Sequence, residues 1–197
     1  MELFTIILHP MRNTLHGVET LPYPRSYWVV PGKFLAGCYP GSLDPAEAEL
    51  KIARLVACGI SSIICLLEEN EQDRSGNRFA PYTPLYLKVA REQGVAASWH
   101  RHPIHDQGVP TKKQMTAILD RIDESLGREL PVFVHCWGGK GRTGMVVGCW
   151  LARHGVAEGV DLLKSVQYLR RHDPKGYDPS PDTAEQRRFV LEWGRWE

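Results

Sequence analysis

The sequence has no apolar run approaching the roughly 20 residues of a membrane-spanning helix, so a helical span is not expected. It also has little net charge: 24 Lys and Arg against 23 Asp and Glu leave +1, which argues against a general nucleic-acid binder. Five cysteines (38, 58, 65, 136, 149) are an odd count without the paired spacing of a metal site. A reducing compartment is the simpler reading, and a cytoplasmic protein is expected. Near the N-terminus the only apolar stretch is residues 3–8, which lacks a basic lead and is short for a signal peptide. There is no internal repeat and no low-complexity tract. What remains is a chain of 197 residues, 43% apolar and 24% charged, long enough for one globular domain with a substantial core.

The informative stretch runs from 131 to 145, PVFVHCWGGKGRTGM. Residues 131–134 are a short apolar run with two β-branched members, the pattern of a buried strand. Gly138, Gly139 and Gly141 follow, and glycine lets backbone N–H groups approach a ligand closely. From Arg142 the run TGMVVGCWLA reads as a buried helix. A tight loop feeding a helix N-terminus is an anion site, because free N–H groups and the helix dipole point at one spot. Cys136 opens this loop and Arg142 closes it, with five residues between them. A cysteine so placed is expected to have a pKa of about 3.5–7.5 instead of about 8.5, and to be a thiolate near neutral pH. Arg142 offers a planar fork that matches two phosphate oxygens. A thiolate in a phosphate cradle implies attack on phosphorus and a phosphocysteine intermediate. The loop is not a Walker A motif, because Lys140 is followed by Gly141 and not by Ser or Thr.

His135-Cys136-x5-Arg142-Thr143-Gly144 resembles the signature loop of the cysteine-dependent protein-tyrosine phosphatases, including their dual-specificity branch. The Cys-x-Gly-Gly-x-Gly-Arg arrangement is also similar to the cyclin-dependent-kinase-associated phosphatases. The resemblance implies that N–H groups of Trp137, Gly138, Gly139, Lys140, Gly141 and Arg142 hold the phosphate, with Arg142 bridging two oxygens. It implies that Thr143 hydrogen-bonds the sulfur and that His135 orients the loop. A departing alkoxide or phenoxide needs a proton, and the candidate donor is Asp106, thirty residues before Cys136. Its segment, residues 104–110, resembles the acid loop Trp-Pro-Asp-x-Gly-Val-Pro, with Ile104 and His105 in place of Trp and Pro. Near the C-terminus, 182–189 resembles a late segment of the family in which a glutamine places the hydrolytic water. Asp182 stands at that position here, and Gln186 remains as a supporting candidate. Cys65 resembles a second cysteine that some of these phosphatases join to the nucleophile, but a buried apolar role is the better reading. His100, His102 and His105 read as pocket rim or solvent face and not as metal ligands, and the chemistry calls for no metal or other cofactor.

The rest of the chain supplies a scaffold. Residues 27–30 and 33–36 flank Pro31-Gly32 as a hairpin, and PGKFLAGCYPG resembles the opening strands of small dual-specificity phosphatases. Asp44, Pro45 and Glu47 predict a helix start with a capping box, running to about Cys58. A core strand is expected at 61–67, a surface loop at 68–83, a helix at 84–93 and a strand at 95–100. Thr111 and Gln114 cap a helix whose stripe is Met115, Ile118, Leu119, Ile122 and Leu126. Leu162, Val166 and Leu169 mark another helix, and Ser180 or Asp182 caps a last one through Trp193. Strands separated by helices give an α/β fold, a central, mainly parallel sheet flanked by helices as in the protein-tyrosine phosphatases. The division expected is an N-terminal arm, residues 1–25, and a phosphatase domain, residues 26–197.

The reading favoured is a monomeric phosphatase acting on phosphotyrosine, and on phosphoserine or phosphothreonine, in proteins. The alternative is a phosphoinositide or other non-protein phosphatase: Lys140 matches a lysine of the phosphoinositide 3-phosphatases, but Trp137 stands where they carry a further basic residue. A third reading, an inactive phospho-ligand binding module, sits poorly with Cys136, Arg142 and Asp106 all being present.

Overall fold

The structure, a computed structural model, describes residues 21–193. Five strands form one sheet: β1 Ser26–Val30, β2 Phe34–Gly37, β3 Ser62–Cys65, β4 Ser98–Arg101 and β5 Val132–His135. Six helices are interspersed: α1 Pro45–Ala57, α2 Thr83–Glu92, α3 Lys112–Gly127, α4 Arg142–Arg153, α5 Val160–Leu169 and α6 Ala184–Trp193. The strand order is β1-β2-β5-β3-β4, antiparallel between β1 and β2 and parallel at the other three pairings. The expected mainly parallel sheet is present.

Alternation along the central strands builds two cores. Phe34, Ala36, Ile64, Val132 and Val134 face one side and pack with the apolar stripes of α3, α4, α5 and α6. Leu35, Ile63 and Phe133 face the other side, against Ile52, Leu55 and Val56 of α1 and Tyr86, Val89 and Ala90 of α2. A parallel sheet covered on both faces needs such continuous apolar strands. Helix α4 lies deepest, buried from Arg142 through Leu151. It carries Gly144 because a Cβ there would come within 2.2 Å of the Ser180 hydroxyl.

The sheet aims the reactive loop. Gly37 and Cys65 both sit in register with His135, the last residue of β5. Cys136 therefore leaves the middle of the sheet at the carboxyl ends of parallel strands, where open α/β sheets bind ligands.

Some boundaries differ from expectation. Strand β4 begins at Ser98, not 95, and lies at the edge with only partial burial. The Asp44 side chain caps α1 through the Ala46 N–H, but Glu47 does not close a capping box. Ser42 Oγ already accepts the Asp44 N–H and donates to Glu47 Oε2 at 2.6 Å. The cap of α6 is neither Ser180 nor Asp182 but Thr183, whose Oγ1 accepts the Gln186 N–H at 3.1 Å while Gln186 Oε1 accepts the Thr183 N–H at 3.3 Å. Of the arm expected over 1–25, residues 1–20 lie outside the described residues, including the apolar stretch 3–8. Tyr23 is buried against Phe133, and Arg25 reaches the reactive loop.

Candidate active site

Loop 136–141 joins β5 to α4, and its carbonyls are held from outside. His135 Nδ1 donates to Cys136 O at 3.1 Å, the Tyr39 N–H to Trp137 O at 3.0 Å and Arg25 Nη2 to Gly138 O at 2.7 Å. Ser180 Oγ donates to Lys140 O at 2.7 Å, and the Met145 N–H to Gly141 O at 2.9 Å. In a trans peptide the N–H points opposite the C=O. Tying back these five carbonyls turns the N–H groups of residues 137, 138, 139, 141 and 142 the other way. Among the described residues, none of those five N–H groups donates to another backbone group. Gly139 adopts φ 68°, and a Cβ there would come within 2.5 Å of the Gly37 carbonyl carbon. The loop thus rests against the end of β2, and only glycine fits.

The Arg142 side chain is 1% exposed at the first position of α4. Its Nη1 donates to Glu71 Oε2 and its Nη2 to Glu71 Oε1, each at 2.7 Å, a fork-to-fork pair. Nη1 also donates to Ile104 O at 3.1 Å, and Nη2 meets Asp106 Oδ1 at 2.8 Å. Burial opposes the guanidinium charge, but the Glu71 hydrogen bonds, with Cys136 and Asp106 nearby, outweigh it and hold Arg142 above its ordinary pKa. Cys136, Arg142, Asp106, Trp137, Gly138, Lys140, Gly141 and Gln186 all line one cavity of about 400 Å³.

The family model described as "Swiss Army Knife protein, DSP-PTPase phosphatase domain" matches residues 23–175. The chain belongs to this phosphatase family. It is 34% identical over 91 residues to an uncharacterized protein of Methanocaldococcus jannaschii, covering 46% of this chain and 52% of that one. It is 28% identical over 97 residues to human cyclin-dependent kinase inhibitor 3, covering 49% of this chain and 42% of the human protein. The chain thus spans about half the length of the curated relatives it matches. In fold it is similar to kinase associated phosphatase with its catalytic site cysteine substituted by serine (TM-score 0.66, 22% identity, 83% and 86% of the two chains covered). It is also similar to PTPMT1 in complex with PI(5)P (TM-score 0.63, 16% identity, 87% and 95% covered).

Seen as a phosphatase domain, the molecule adds residues that spacing did not reveal. Glu71 lies in a stretch read as surface loop, yet its side chain is only 7% exposed. The requirement that a buried arginine have a carboxylate partner was the available signal, but Glu68, Glu69 and Asp73 stand beside it as equal candidates. Tyr82 and Trp99 were also missed. Trp99 Nε1 donates to Tyr82 Oη at 2.8 Å, and Tyr82 Oη bonds His135 Nε2. Since Cys136 O only accepts, His135 carries its proton on Nδ1 and Tyr82 donates to Nε2. Burial pushes His135 down to about 3, so the ring is neutral and its two nitrogens fix the start of the loop.

The expected supporting residues occupy particular places. Lys140 Nζ pairs with Asp182 at 2.8 Å and Asp178 at 3.5 Å. Gln186 is fully buried, and its Nε2 donates to Gly108 O at 2.9 Å, which ties the Asp106 loop to α6. Thr143 Oγ1 is buried with no hydrogen-bond partner, so the expected bond to the Cys136 sulfur is not made here. Cys65 is buried, and burial pushes its thiol up to about 11. His105 faces Glu68 at 3.0 Å, and burial lowers the pKa of His100 and of His102.

Proposed function

We propose that the chain hydrolyses phosphate monoesters on proteins, phosphotyrosine foremost and phosphoserine or phosphothreonine as well, through a phosphocysteine intermediate. The observation that carries this reading is the set of loop carbonyls tied outward around Cys136, with Arg142 locked beside it by Glu71. Five N–H groups, already in place, then meet the phosphate oxygens. Arg142 adds its Nε and the Nη2 hydrogen that Asp106 gives up when substrate enters, while Glu71 and Ile104 O keep the rest of the guanidinium fixed.

In the first step Cys136 Sγ attacks phosphorus in line with the ester oxygen. The S–P bond forms as the P–O bond breaks, and the leaving oxygen takes a proton from Asp106. In the second step Asp106 accepts a proton from water, whose oxygen attacks phosphorus and releases the sulfur and inorganic phosphate. Thr143 then donates its hydroxyl, which has no other partner, to the departing sulfur. Gln186 acts by holding the Asp106 loop and not by touching substrate. The cycle uses only side chains and water, with no metal and no other cofactor. We place it in the cytoplasm as a monomer, with an arm before residue 26 whose end, Tyr23 and Arg25, packs on the domain over 26–197. Among the described residues no helix is long and apolar enough to cross a membrane.

A non-protein phosphate ester is the second reading. The likeness to a structure holding PI(5)P favours it. Against it, Lys140 is already paired with Asp178 and Asp182.

The test is hydrolysis of para-nitrophenyl phosphate and of a phosphotyrosine peptide under fresh reductant. Cys136→Ser is expected to abolish turnover. Asp106→Ala is expected to slow release of a poor leaving group by about 10²–10⁴-fold. Full activity in Cys136→Ser, or none in the wild type, overturns the proposal.

A further inference from the structure

The loop of residues 175–180 borders two hollows. Lys175 and Asp178 line the reactive cavity, whereas Gly176, Tyr177, Pro179 and Ser180 line an open groove beside α5. The loop is braced from the groove. Gln167 Nε2 donates to Gly176 O and to Asp178 O, and Gln167 Oε1 accepts the Ser180 N–H at 3.1 Å. Ser180 Oγ in turn donates to Lys140 O of the reactive loop. Groove and cavity are therefore neighbours with one loop between them.

The floor of the groove is apolar and uncovered. Leu163 and Tyr168 come from α5, Tyr177 and Pro179 from the loop. Tyr168 is 57% exposed and Tyr177 81%. Val160, 61% exposed, stands one turn before Leu163 and extends the same stripe of α5. Single exposed apolar side chains are ordinary, but a contiguous group rimmed by charge marks an interaction site. The rim is of one sign: Lys164, Arg171 and Arg187 line the groove, and no Asp or Glu does. The Arg171 guanidinium lies 3.9 Å from the Tyr168 ring centroid, and its Nη1 donates to Tyr168 O at 2.9 Å. Arg187 Nη1 donates to Pro181 O at 2.9 Å and to Asp182 O at 2.8 Å. Carbonyls take up hydrogens of these two guanidiniums without neutralising them, and neither has a carboxylate partner among the described residues. Lys164 meets Asp161 at 2.8 Å in an exposed pair that opens readily.

We propose that this groove docks a segment of the protein substrate itself, apolar side chains flanked by carboxylates, on the same chain as the phosphorylated residue. The inference rests on the substrate being a phosphoprotein. Charge complementarity chooses the occupant. Apolar side chains fill the floor between the two tyrosines, and carboxylates meet Arg171 and Arg187, whose planar forks suit them. A second copy of this chain is a poor match, because a two-fold contact would set one cationic rim against the other. A bilayer has no side chains to insert between α5 and the loop. Because a single loop separates groove from cavity, a spacer of about six extended residues, roughly 20 Å of chain, is enough to round it. Docking then raises the local concentration of the phosphorylated residue, which lowers KM and leaves the chemical step as it was.

The experiment compares three phosphotyrosine peptides that differ only beyond a spacer of about six residues. One ends in a Gly/Ser tail, one in a tail of Leu and Glu, and one in the same tail with Lys for every Glu. The Leu/Glu tail is expected to lower KM about tenfold against the Gly/Ser tail with kcat unchanged, the worth of one buried leucine less its ordering. That gain shrinks from low to moderate salt, and the Leu/Lys tail gains less than about twofold. Tyr177→Ser and Arg171→Glu are each expected to cut the Leu/Glu gain to below about twofold while leaving para-nitrophenyl phosphate hydrolysis unchanged. Arg171→Glu also improves the Leu/Lys tail, a change that loss of structure would not produce. Equal KM for all three tails, a gain indifferent to the Glu-to-Lys exchange, or one that survives Tyr177→Ser and Arg171→Glu together overturns the proposal. So does a dimer that Tyr177→Ser dissolves, or binding to phosphatidylserine vesicles that Arg171→Glu abolishes, since either gives the groove another occupant. If the wild type hydrolyses no monoester, the phosphatase reading fails by itself, and fluorescence anisotropy of a labelled Leu/Glu tail without phosphate decides. Binding that is lost in Tyr177→Ser supports the docking groove, and no binding removes it.

Discussion

Glu71 accepts two hydrogen bonds from Arg142, and a guanidinium gripped along one edge cannot rotate away from the loop. Glu71→Gln keeps one acceptor and loses the charge. Its kcat/KM for para-nitrophenyl phosphate is expected to fall about 10- to 100-fold, in line with loss of a charge-assisted pair. Inhibition by inorganic phosphate weakens in parallel. An unchanged phosphate inhibition constant would show that Arg142 needs no such partner. At this scale the sequence spoke through spacing. Cys136 and Arg142 have five residues between them on one loop, and glycines there can serve little else. Asp106 was legible through its neighbours Gly108, Val109 and Pro110. Glu71, Tyr82 and Arg25 were not, because each meets the loop or the residue flanking it only through the fold, across 53 or more positions of chain, and Trp99 enters only through Tyr82.

The Asp106 loop is an element without regular structure, and α6 holds it. Gln186 Nε2 grips Gly108 O, while Thr183 Oγ1 contacts Gln107 O at 3.5 Å. Gln107 is one of two non-glycine residues with positive φ among those described, at 61°. Such a backbone persists only when its surroundings impose it. Gln186→Leu removes the grip and also half of the α6 cap. The expected signature depends on the leaving group: phenyl phosphate turnover drops about tenfold or more, whereas para-nitrophenyl phosphate, which departs with little need of a proton, keeps most of its rate. Equal losses on both would assign Gln186 to the fold alone. Helices were read well because their signals are local. The Thr111–Gln114 box and the α3 stripe need only neighbours a turn away, and both are present. The α6 cap was also written locally, as Thr183-x-x-Gln186, but the neighbouring Ser180 and Asp182 offered equally good caps. Glu47 does not complete its box because a competing hydroxyl, Ser42, lies two residues before the cap.

Across the whole molecule, buried titratable groups couple folding to pH. Burial pushes His135 down to about 3 and lowers His100 and His102. Each therefore binds a proton more readily unfolded than folded. The stability of their neutral forms is complete above about pH 6.5 and is lost as pH falls toward 3. Asp123 adds to the loss at the acid end: burial would raise its pKa, but hydrogen bonds from His154 and Trp150 win and lower it. The urea midpoint is expected to drop steadily from pH 6.5 to 4, and to drop less in His135→Asn. A flat profile would contradict the neutral, buried ring. The mainly parallel sheet was legible from strands alternating with helices, but its order was not, since β2-β5-β3 adjacency rests on contacts between residues far apart in sequence.

The division expected at residue 26 has a practical consequence. A fragment cut there would part with Tyr23, whose ring plugs the sheet against Phe133 and whose hydroxyl donates to Cys38 O at 2.8 Å. It would also part with Arg25, the outer brace of the Gly138 carbonyl. Losing a buried aromatic costs about 3–5 kcal/mol, so such a trimmed version should melt well below one that starts at 21 or earlier. Its hydrolysis of small esters should also fall at temperatures where both are still folded. Expression boundaries for this family member belong upstream of Tyr23.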